Sequence, residues 1–301
     1  MDYSVIIPIF RANSSLFELY DKACLALSEY QCEIILVYDC GSPISLEICK
    51  ELESNENVRL TTLTRNFGQH NAIIAGIKLA KGKWLITMDE DLQHDPADIP
   101  KLIEEQRQSH AKVVYGDYPE RKHNVFRNST SSLMKGLLKI GIPELYPHYS
   151  AFRLIDMRIA KHLVEMNNSY TFLDGYLSWI TNNFSHVGVS HNESQSGESS
   201  YTFQKLLKHS VNIFVTFSSL PIRILTALSI LLFCLSVLYA IWIIISSYTI
   251  ANYQTGFPTL VVLLGLGFGF VIFGMAVIGE YIHRINLKAT KRPNFIIEEN
   301  E

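Results

Sequence analysis

The residues most able to do chemistry lie in one acidic segment, MDEDLQHDP at residues 88–96. Asp89 and Asp91 flank a single residue, and alternate side chains of extended backbone point the same way. Two crowded carboxylates repel each other unless a cation lies between them. Mg²⁺ commonly binds through one or two carboxylates together with substrate phosphates. The segment therefore indicates a divalent metal on a diphosphate, or, equally well from spacing alone, a solvated acidic turn that caps the next helix.

The elements that must position this segment alternate along the first half of the chain. Continuous apolar runs between helix-like segments predict a mainly parallel sheet covered on both faces, and ligands of such sheets bind beyond the carboxyl ends of the strands. The acidic segment follows one of these strands, so the predicted fold class is α/β with a Rossmann-like sheet. The runs predict strands over 5–10, 33–38, 58–63, 84–88 and 113–116, and helices over 16–28, 44–52, 69–80, 96–108 and 170–181.

Charge is balanced overall but unevenly placed. The 26 basic and 29 acidic residues give a net charge of −3, which argues against a nucleic-acid partner. Residues 224–279 contain no Asp, Glu, Lys, Arg or His. This stretch predicts two transmembrane helices, 224–248 and 258–282, since each exceeds the roughly 20 residues that cross a bilayer. The positive-inside rule then places both ends in the cytoplasm, because basic residues gather outside the pair: Arg223, Arg284, Lys288, Lys291 and Arg292.

The remaining segments concern contact with the membrane. Residues 126–140 are amphipathic and predict either a packed helix or one on a membrane surface, whereas for 203–217 we favour the surface. Gly265 and Gly269 have the spacing that lets helices approach closely, against the first span or another copy. The predicted organisation is a cytoplasmic domain over 1–202, a juxtamembrane segment over 203–221, a membrane hairpin over 222–283 and a basic-then-acidic tail over 284–301.

An ordered set of motifs spans almost the whole chain. It resembles the inverting family 2 glycosyltransferases with a GT-A fold, in the branch that loads a sugar onto a polyprenyl phosphate. That branch includes dolichol-phosphate mannosyltransferases and the bactoprenol glucosyltransferases that modify the O-antigen of lipopolysaccharide. The motifs are VIIP ending at Pro8, DCGS from Asp39, RNFG from Arg65, DEDLQ from Asp89, FRL around Arg153, GEYIHR from Gly279 and RP at 292–293.

The resemblance implies the residues that bind the donor. Pro8, Asp39 and Arg65 belong to motifs that line the nucleotide-sugar site, with Asp39 on the base or ribose. Asp89 meets the nucleotide, and Asp91, with Asp89, holds Mg²⁺ or Mn²⁺ on the diphosphate.

It also implies the residues that meet the acceptor. Arg153 contacts the acceptor phosphate, since a guanidinium forks onto phosphate oxygens; a surface ion pair is the alternative. Asp174 stands where many GT-A enzymes place a catalytic carboxylate, or is a helix-surface residue. Gln93 orients donor or acceptor, or is a plain helix-start residue.

The function implied is transfer of a sugar from a nucleotide sugar to undecaprenyl phosphate at the bacterial cytoplasmic membrane. The enzyme is expected to be a multi-pass membrane protein with both termini cytoplasmic, and a homo-oligomer is plausible. One alternative acceptor is a lipid-diphosphate-linked saccharide. The alternative of another class is a catalytically degenerate membrane scaffold. Ser194 stands where a related motif has Arg, and Ser150 and Ala151 precede the FRL strand where the family often has Asp.

Overall fold

A seven-stranded sheet forms the frame of the N-terminal part of the chain. The computed structural model describes residues 1–118, 142, 144–166, 170–190, 216, 220–249, 257–289 and 293–298. The strands lie in the order β3-β2-β1-β4-β6-β5-β7. All pairs are parallel except the two made by β6, with β4 and with β5. The strands are β1 (Tyr3–Ile9), β2 (Cys32–Tyr38), β3 (Val58–Thr62), β4 (Trp84–Thr87), β5 (Val113–Asp117), β6 (Arg153–Asp156) and β7 (Phe184–Gly188).

Helices cover both faces of this sheet, and the apolar strands are buried on both sides. Val5 and Ile7 of β1 belong to a core cluster on one face, while Ile6 belongs to the cluster on the other face. This two-sided burial explains why the strands read as continuous apolar runs. The helices are α1 (Ser15–Ala26), α2 (Pro43–Leu52), α3 (Gln69–Leu79), α4 (Ile99–Ser109), α5 (Met157–Glu165) and α6 (Leu173–Ile180), with a 3₁₀ turn over Pro96–Asp98.

The α/β prediction is confirmed. Each strand predicted from the apolar runs is present within two residues of its expected bounds. The FRL motif forms β6, whose antiparallel direction no sequence signal indicated. Neither α5 nor β7 was predicted. The segment 126–140 lies outside the described residues, as does 203–217 apart from Thr216.

The end of the chain returns to the sheet, which the sequence did not predict. Residues 293–298 run beside the edge strand β3, where Ile297 bridges Leu63 in antiparallel fashion. The Thr64 N–H donates to the Ile296 carbonyl at 3.0 Å, and the Glu298 N–H donates to the Thr62 carbonyl at 2.8 Å. The tail is therefore an integral part of the domain that the first strands build.

Two long helices precede this tail, α7 (Leu220–Thr249) and α8 (Phe257–Ala289). Within α8, Gly267–Asn286 is long and apolar enough to cross a membrane. Among the described residues of α7, the apolar stretch is the shorter Ile222–Leu231. Both predicted spans are thus helical, but by length and composition one membrane-spanning helix is found where two were predicted.

Candidate active site

The acidic segment forms a tight turn just beyond the carboxyl end of β4. Leu92 is buried within it at a φ of 57°, in the left-handed region that costs a non-glycine residue about 1–2 kcal/mol. The Gln93 N–H donates to Asp91 Oδ1 at 3.1 Å, and the Asp89 N–H donates to His94 Nδ1 at 3.2 Å. These bonds hold Asp89 and Asp91 on one turn at the sheet edge where ligands of such folds bind.

Glu90, between the two aspartates, ties this turn to the neighbouring strand. Its carboxylate accepts the backbone N–H groups of Phe10 and Arg11, each at 2.9 Å, just beyond β1. Burial raises the pKa of Glu90, and these N–H donors oppose that rise. Sequence analysis missed Glu90 as a site residue, although alternation in an extended segment points it away from Asp89 and Asp91.

Replacing Glu90 with Ala should lower kcat/KM for sugar transfer about tenfold or more, because small displacements of positioning groups are costly in catalysis. Glu90→Gln should also lose activity, since the two N–H groups bind different carboxylate oxygens and the amide would present its NH₂, a donor, to one of them. The measurement is steady-state kinetics on the full chain, with the exposed Glu47→Ala as the control. Unchanged kinetics in both Glu90 variants would contradict the positioning role.

Asp39 lies at the end of β2 and binds the loop that follows β3. Its two carboxylate oxygens accept the N–H groups of Phe67 at 2.7 Å and Gly68 at 2.8 Å. Gly68 has a φ of 88°, a conformation that favours glycine. Burial raises the pKa of Asp39, and the two N–H groups counter this effect. The structure therefore shows Asp39 shaping the loop that carries Arg65, whose guanidinium lies over the Phe67 ring at 4.4 Å.

The remaining donor-site predictions are placed as follows. Pro8 is buried within β1, paired with Val37 in the sheet. Gly41 approaches the end of the same strand so closely that a Cβ there would lie 1.7 Å from the Phe10 carbonyl oxygen. The ends of β1, β2 and β4, with the loop after β3, thus form one continuous rim. The nucleotide-binding roles of Pro8, Asp39 and Arg65 stay predictions.

The electrostatics of this rim suit a cation. Burial and then the charge of Asp91 raise the pKa of Asp89 to about 7, while Arg153 opposes the rise. Gln69, at the start of α3, donates a hydrogen bond to Asp89 Oδ1 and was also missed from the sequence. The neighbouring carboxylates of Asp89 and Asp91 are a fitting donor set for Mg²⁺ or Mn²⁺, which prefer oxygen ligands.

Arg153 and Asp174 form a buried ion pair beside the acidic turn. Arg153 is 1% exposed and Asp174 is 4% exposed, and Arg153 Nη1 contacts Asp174 Oδ1 directly. Arg153 Nε also donates to Thr87 Oγ1 at 3.0 Å, and the Tyr115 hydroxyl donates to Asp174 Oδ1 at 3.0 Å. Burial raises the pKa of Asp174, and the adjacent Arg153 charge counters it.

This pairing corrects two expectations for these residues. Arg153 makes an ion pair, but in the core and not on the surface, because β6 is an inner strand. Asp174 is not a helix-surface residue, since α6 packs that side against the sheet. A phosphate contact for Arg153 and a base role for Asp174 stay predictions, as does the role of Gln93, which is partly buried in the turn. Ser194 and the Arg of the RP motif lie outside the described residues.

A mainly parallel sheet of this topology, with an aspartate pair after β4, is the architecture of the GT-A class of glycosyltransferases. Residues 4–168 match the model of Glycosyl transferase family 2, and the chain belongs to that family.

Full-length relatives agree with this assignment. An undecaprenyl-phosphate 4-deoxy-4-formamido-L-arabinose transferase of Edwardsiella ictaluri is 30% identical, over 98% of this chain and 93% of its own. A prophage-derived bactoprenol glucosyl transferase of Shigella flexneri is 29% identical, over 100% of this chain and 98% of its own.

A solved structure supports the fold. Glucosyl-3-phosphoglycerate synthase from Mycobacterium tuberculosis, in complex with Mn²⁺, UDP-glucose and phosphoglyceric acid, gives a TM-score of 0.53 at 14% identity. The similarity covers 72% of this chain and 78% of that one. At this identity the likeness establishes the GT-A architecture, while the substrates belong to the synthase.

Proposed function

We propose that the chain transfers a sugar from a nucleotide sugar to a polyprenyl phosphate, such as undecaprenyl phosphate, at the cytoplasmic face of a bacterial membrane. The observation that carries the proposal is the length of the similarity to the two lipid-phosphate transferases. It extends beyond the GT-A domain through α7, α8 and the tail. Surface glycan synthesis or modification, including that of O-antigen, is the process that such a product would serve.

The chemistry of the acceptor does not require a strong general base. A phosphate monoester has its second pKa near 6, so it is largely dianionic at neutral pH. One of its oxygens forms a bond to the anomeric carbon of the donor sugar. The bond from that carbon to the diphosphate breaks, and the nucleoside diphosphate leaves with the electron pair. A single displacement of this kind inverts the anomeric configuration.

The residues of the rim would bind and orient the donor. Asp39 and Glu90 would hold the loops that contact the nucleotide. Gln93 lies in the same acidic turn as Asp89 and Asp91. Mg²⁺ or Mn²⁺ on Asp91, with Asp89 beside it, would offset the charge that develops on the diphosphate. Positioning and charge stabilisation are the two contributions expected when the nucleophile already carries its charge.

The path of the chain supports a two-span anchor. The sheet and residues 293–298 are hydrogen-bonded to each other, so both lie on the same side of any membrane. The chain between them must then cross an even number of times. Since α8 contains a stretch long enough to span, α7, which precedes it, would supply the other crossing. With both termini in the cytoplasm, the basic residues around the helices agree with the positive-inside rule.

We propose that two copies of the chain associate through the face of α8 that carries Gly269. Among the described residues, no atom lies within 4 Å of a Cβ built on Gly267 or Gly269. A Cβ built on Gly274, by contrast, would lie 3.9 Å from the Leu225 side chain of α7. Gly269, one of the two glycines at the spacing that permits close helix contact, is therefore open to a second copy.

A donor screen on the detergent-purified full chain tests the function. The assay supplies undecaprenyl phosphate, Mg²⁺ or Mn²⁺, and a panel of UDP-, GDP- and dTDP-sugars. We expect release of one nucleoside diphosphate that requires both the lipid and the metal. Undecaprenol, which lacks the phosphate, is the matched control and should support none.

The other outcomes distinguish the alternatives. Activity on a lipid-diphosphate saccharide alone would overturn the proposed acceptor but retain the transferase. No release from any donor by a well-folded chain would favour the scaffold. Equal release with undecaprenol would show that the lipid phosphate is not the nucleophile.

A further inference from the structure

A second group of metal-ligating side chains lies away from the acidic turn. Asp117 ends β5, His186 lies in β7, and His148 lies in the segment before β6. Each offers a ligand atom, and these atoms lie within 4.8 Å of one another. Three separate segments, far apart in the sequence, therefore bring two imidazoles and a carboxylate to one place.

The register of the sheet explains how they meet. In the parallel pairing of β5 with β7, Tyr115 is opposite His186 and Asp117 is opposite Gly188. Side chains two residues apart share a face of a strand, so Asp117 and His186 project on the same side. Gly188 leaves open space beside Asp117, with nothing described within 4 Å of an added Cβ.

Hydrogen bonds already orient both imidazoles. His148 Nδ1 is 2.9 Å from Asp117 Oδ2, and His186 Nδ1 is 2.8 Å from the Tyr146 hydroxyl. When Nδ1 of His186 carries the proton in its bond to Tyr146, Nε2 is left as the metal-binding atom of that ring. His148 Nδ1 and Asp117 Oδ2 are themselves two of the potential ligand atoms of the group. The two rings are stacked with centroids 3.9 Å apart and planes within 2° of parallel.

We propose that Asp117, His148 and His186 form a site for a transition-metal ion of the Zn²⁺ type. Imidazole nitrogen suits Zn²⁺ and its neighbours in the first transition row, whereas carboxylates and waters suit Mg²⁺ and Mn²⁺. The site thus differs in chemistry from the Asp89 and Asp91 pair. Coordination requires the parallel rings to tilt toward a common point, which the exposure of His186 and the partial exposure of His148 permit.

Such an ion would join β5 and β7 to the segment that leads into β6. That segment leads directly into Arg153, the first residue of β6, so the metal would fix the approach to the buried ion pair. Tyr146, bonded to His186, also stacks on Tyr115 at 5.8 Å. The expected consequence is a more stable sheet edge when the ion is bound, because a ligand that binds only the folded chain raises its stability.

Metal binding is tested on the full chain, purified in detergent without a histidine tag and stripped with a chelator. Adding Zn²⁺ should raise the melting temperature by about 5 °C at saturation. Co²⁺ should bind with the visible absorption of a nitrogen-containing site. Mg²⁺ should produce neither effect at this site.

Variants assign the effect to its ligands. The Zn²⁺ shift and the Co²⁺ bands should disappear in His148→Ala, His186→Ala and His186→Gln. They should persist in His162→Ala, an exposed histidine on α5, and in Asp91→Asn. Melting of each metal-free variant shows whether it folds. Shifts that persist in the double variant His148→Ala/His186→Ala, or that vanish in Asp91→Asn, would overturn the proposal.

Discussion

Changing Asp91 to Asn should reduce sugar transfer by roughly 10²–10³-fold, the order of loss seen when one preorganised electrostatic group is removed from an active site. The amide keeps the size of the side chain and an oxygen that can accept the Gln93 N–H. It removes the charge that would bind the metal on the diphosphate. Initial rates at saturating lipid, with the nucleoside diphosphate quantified, measure the loss.

Asp95→Asn provides a matched control from the same turn. Asp95 caps the short helix over Pro96–Asp98 by accepting the Ala97 N–H at 3.1 Å, and Asn is an equally good N-cap. This variant should therefore retain activity and melt at the wild-type temperature. Full activity in Asp91→Asn would remove the metal role from Asp91. Unfolding of that variant would instead show that the charge stabilises the turn.

The acidic turn shows what local sequence can predict. An apolar strand followed directly by two aspartates is a contiguous pattern, so its place at the carboxyl edge of the sheet follows from its position after β4. The same holds for β1 to β5 and for the helices between them, which also lie consecutively in the sequence. The length of the stretch without charged residues likewise predicted helices over 224–279. Among the described residues, length and composition identify one membrane-spanning helix more clearly than two.

The contacts that were missed join residues distant in the sequence. Glu90 binds the backbone beyond β1, and Gln69 binds Asp89 from the start of α3. The tail, at the opposite end of the chain, pairs with the residue after β3. Each depends on where a strand lies in the sheet order. The insertion of β6 between β4 and β5 decides that Arg153 is buried, which no periodicity in its own segment reveals.

The buried pair should be sensitive to single substitutions. Asp174→Asn leaves the Arg153 guanidinium buried without a counter-charge, and breaking such a pair typically costs about 3–5 kcal/mol of stability. Since the total stability of a domain is about 5–15 kcal/mol, the melting temperature should fall markedly. Denaturant titration in detergent measures the change. If Asp174 serves only as a catalytic base, the variant should melt normally, with lost activity and an altered pH profile.

Replacing the whole network separates its structural role from catalysis. The triple variant Arg153→Met/Asp174→Leu/Tyr115→Phe removes both charges and the hydroxyl that binds Asp174, so no polar group of the three is left unpaired. Apolar replacement of a buried pair is often neutral or stabilising, so stability should return close to that of the wild type. A stable but inactive triple variant would show that Arg153 or Asp174 also meets a substrate, which fits the predicted phosphate contact. A stable and active one would confine both residues to holding β4, β6 and α6 beneath the acidic turn.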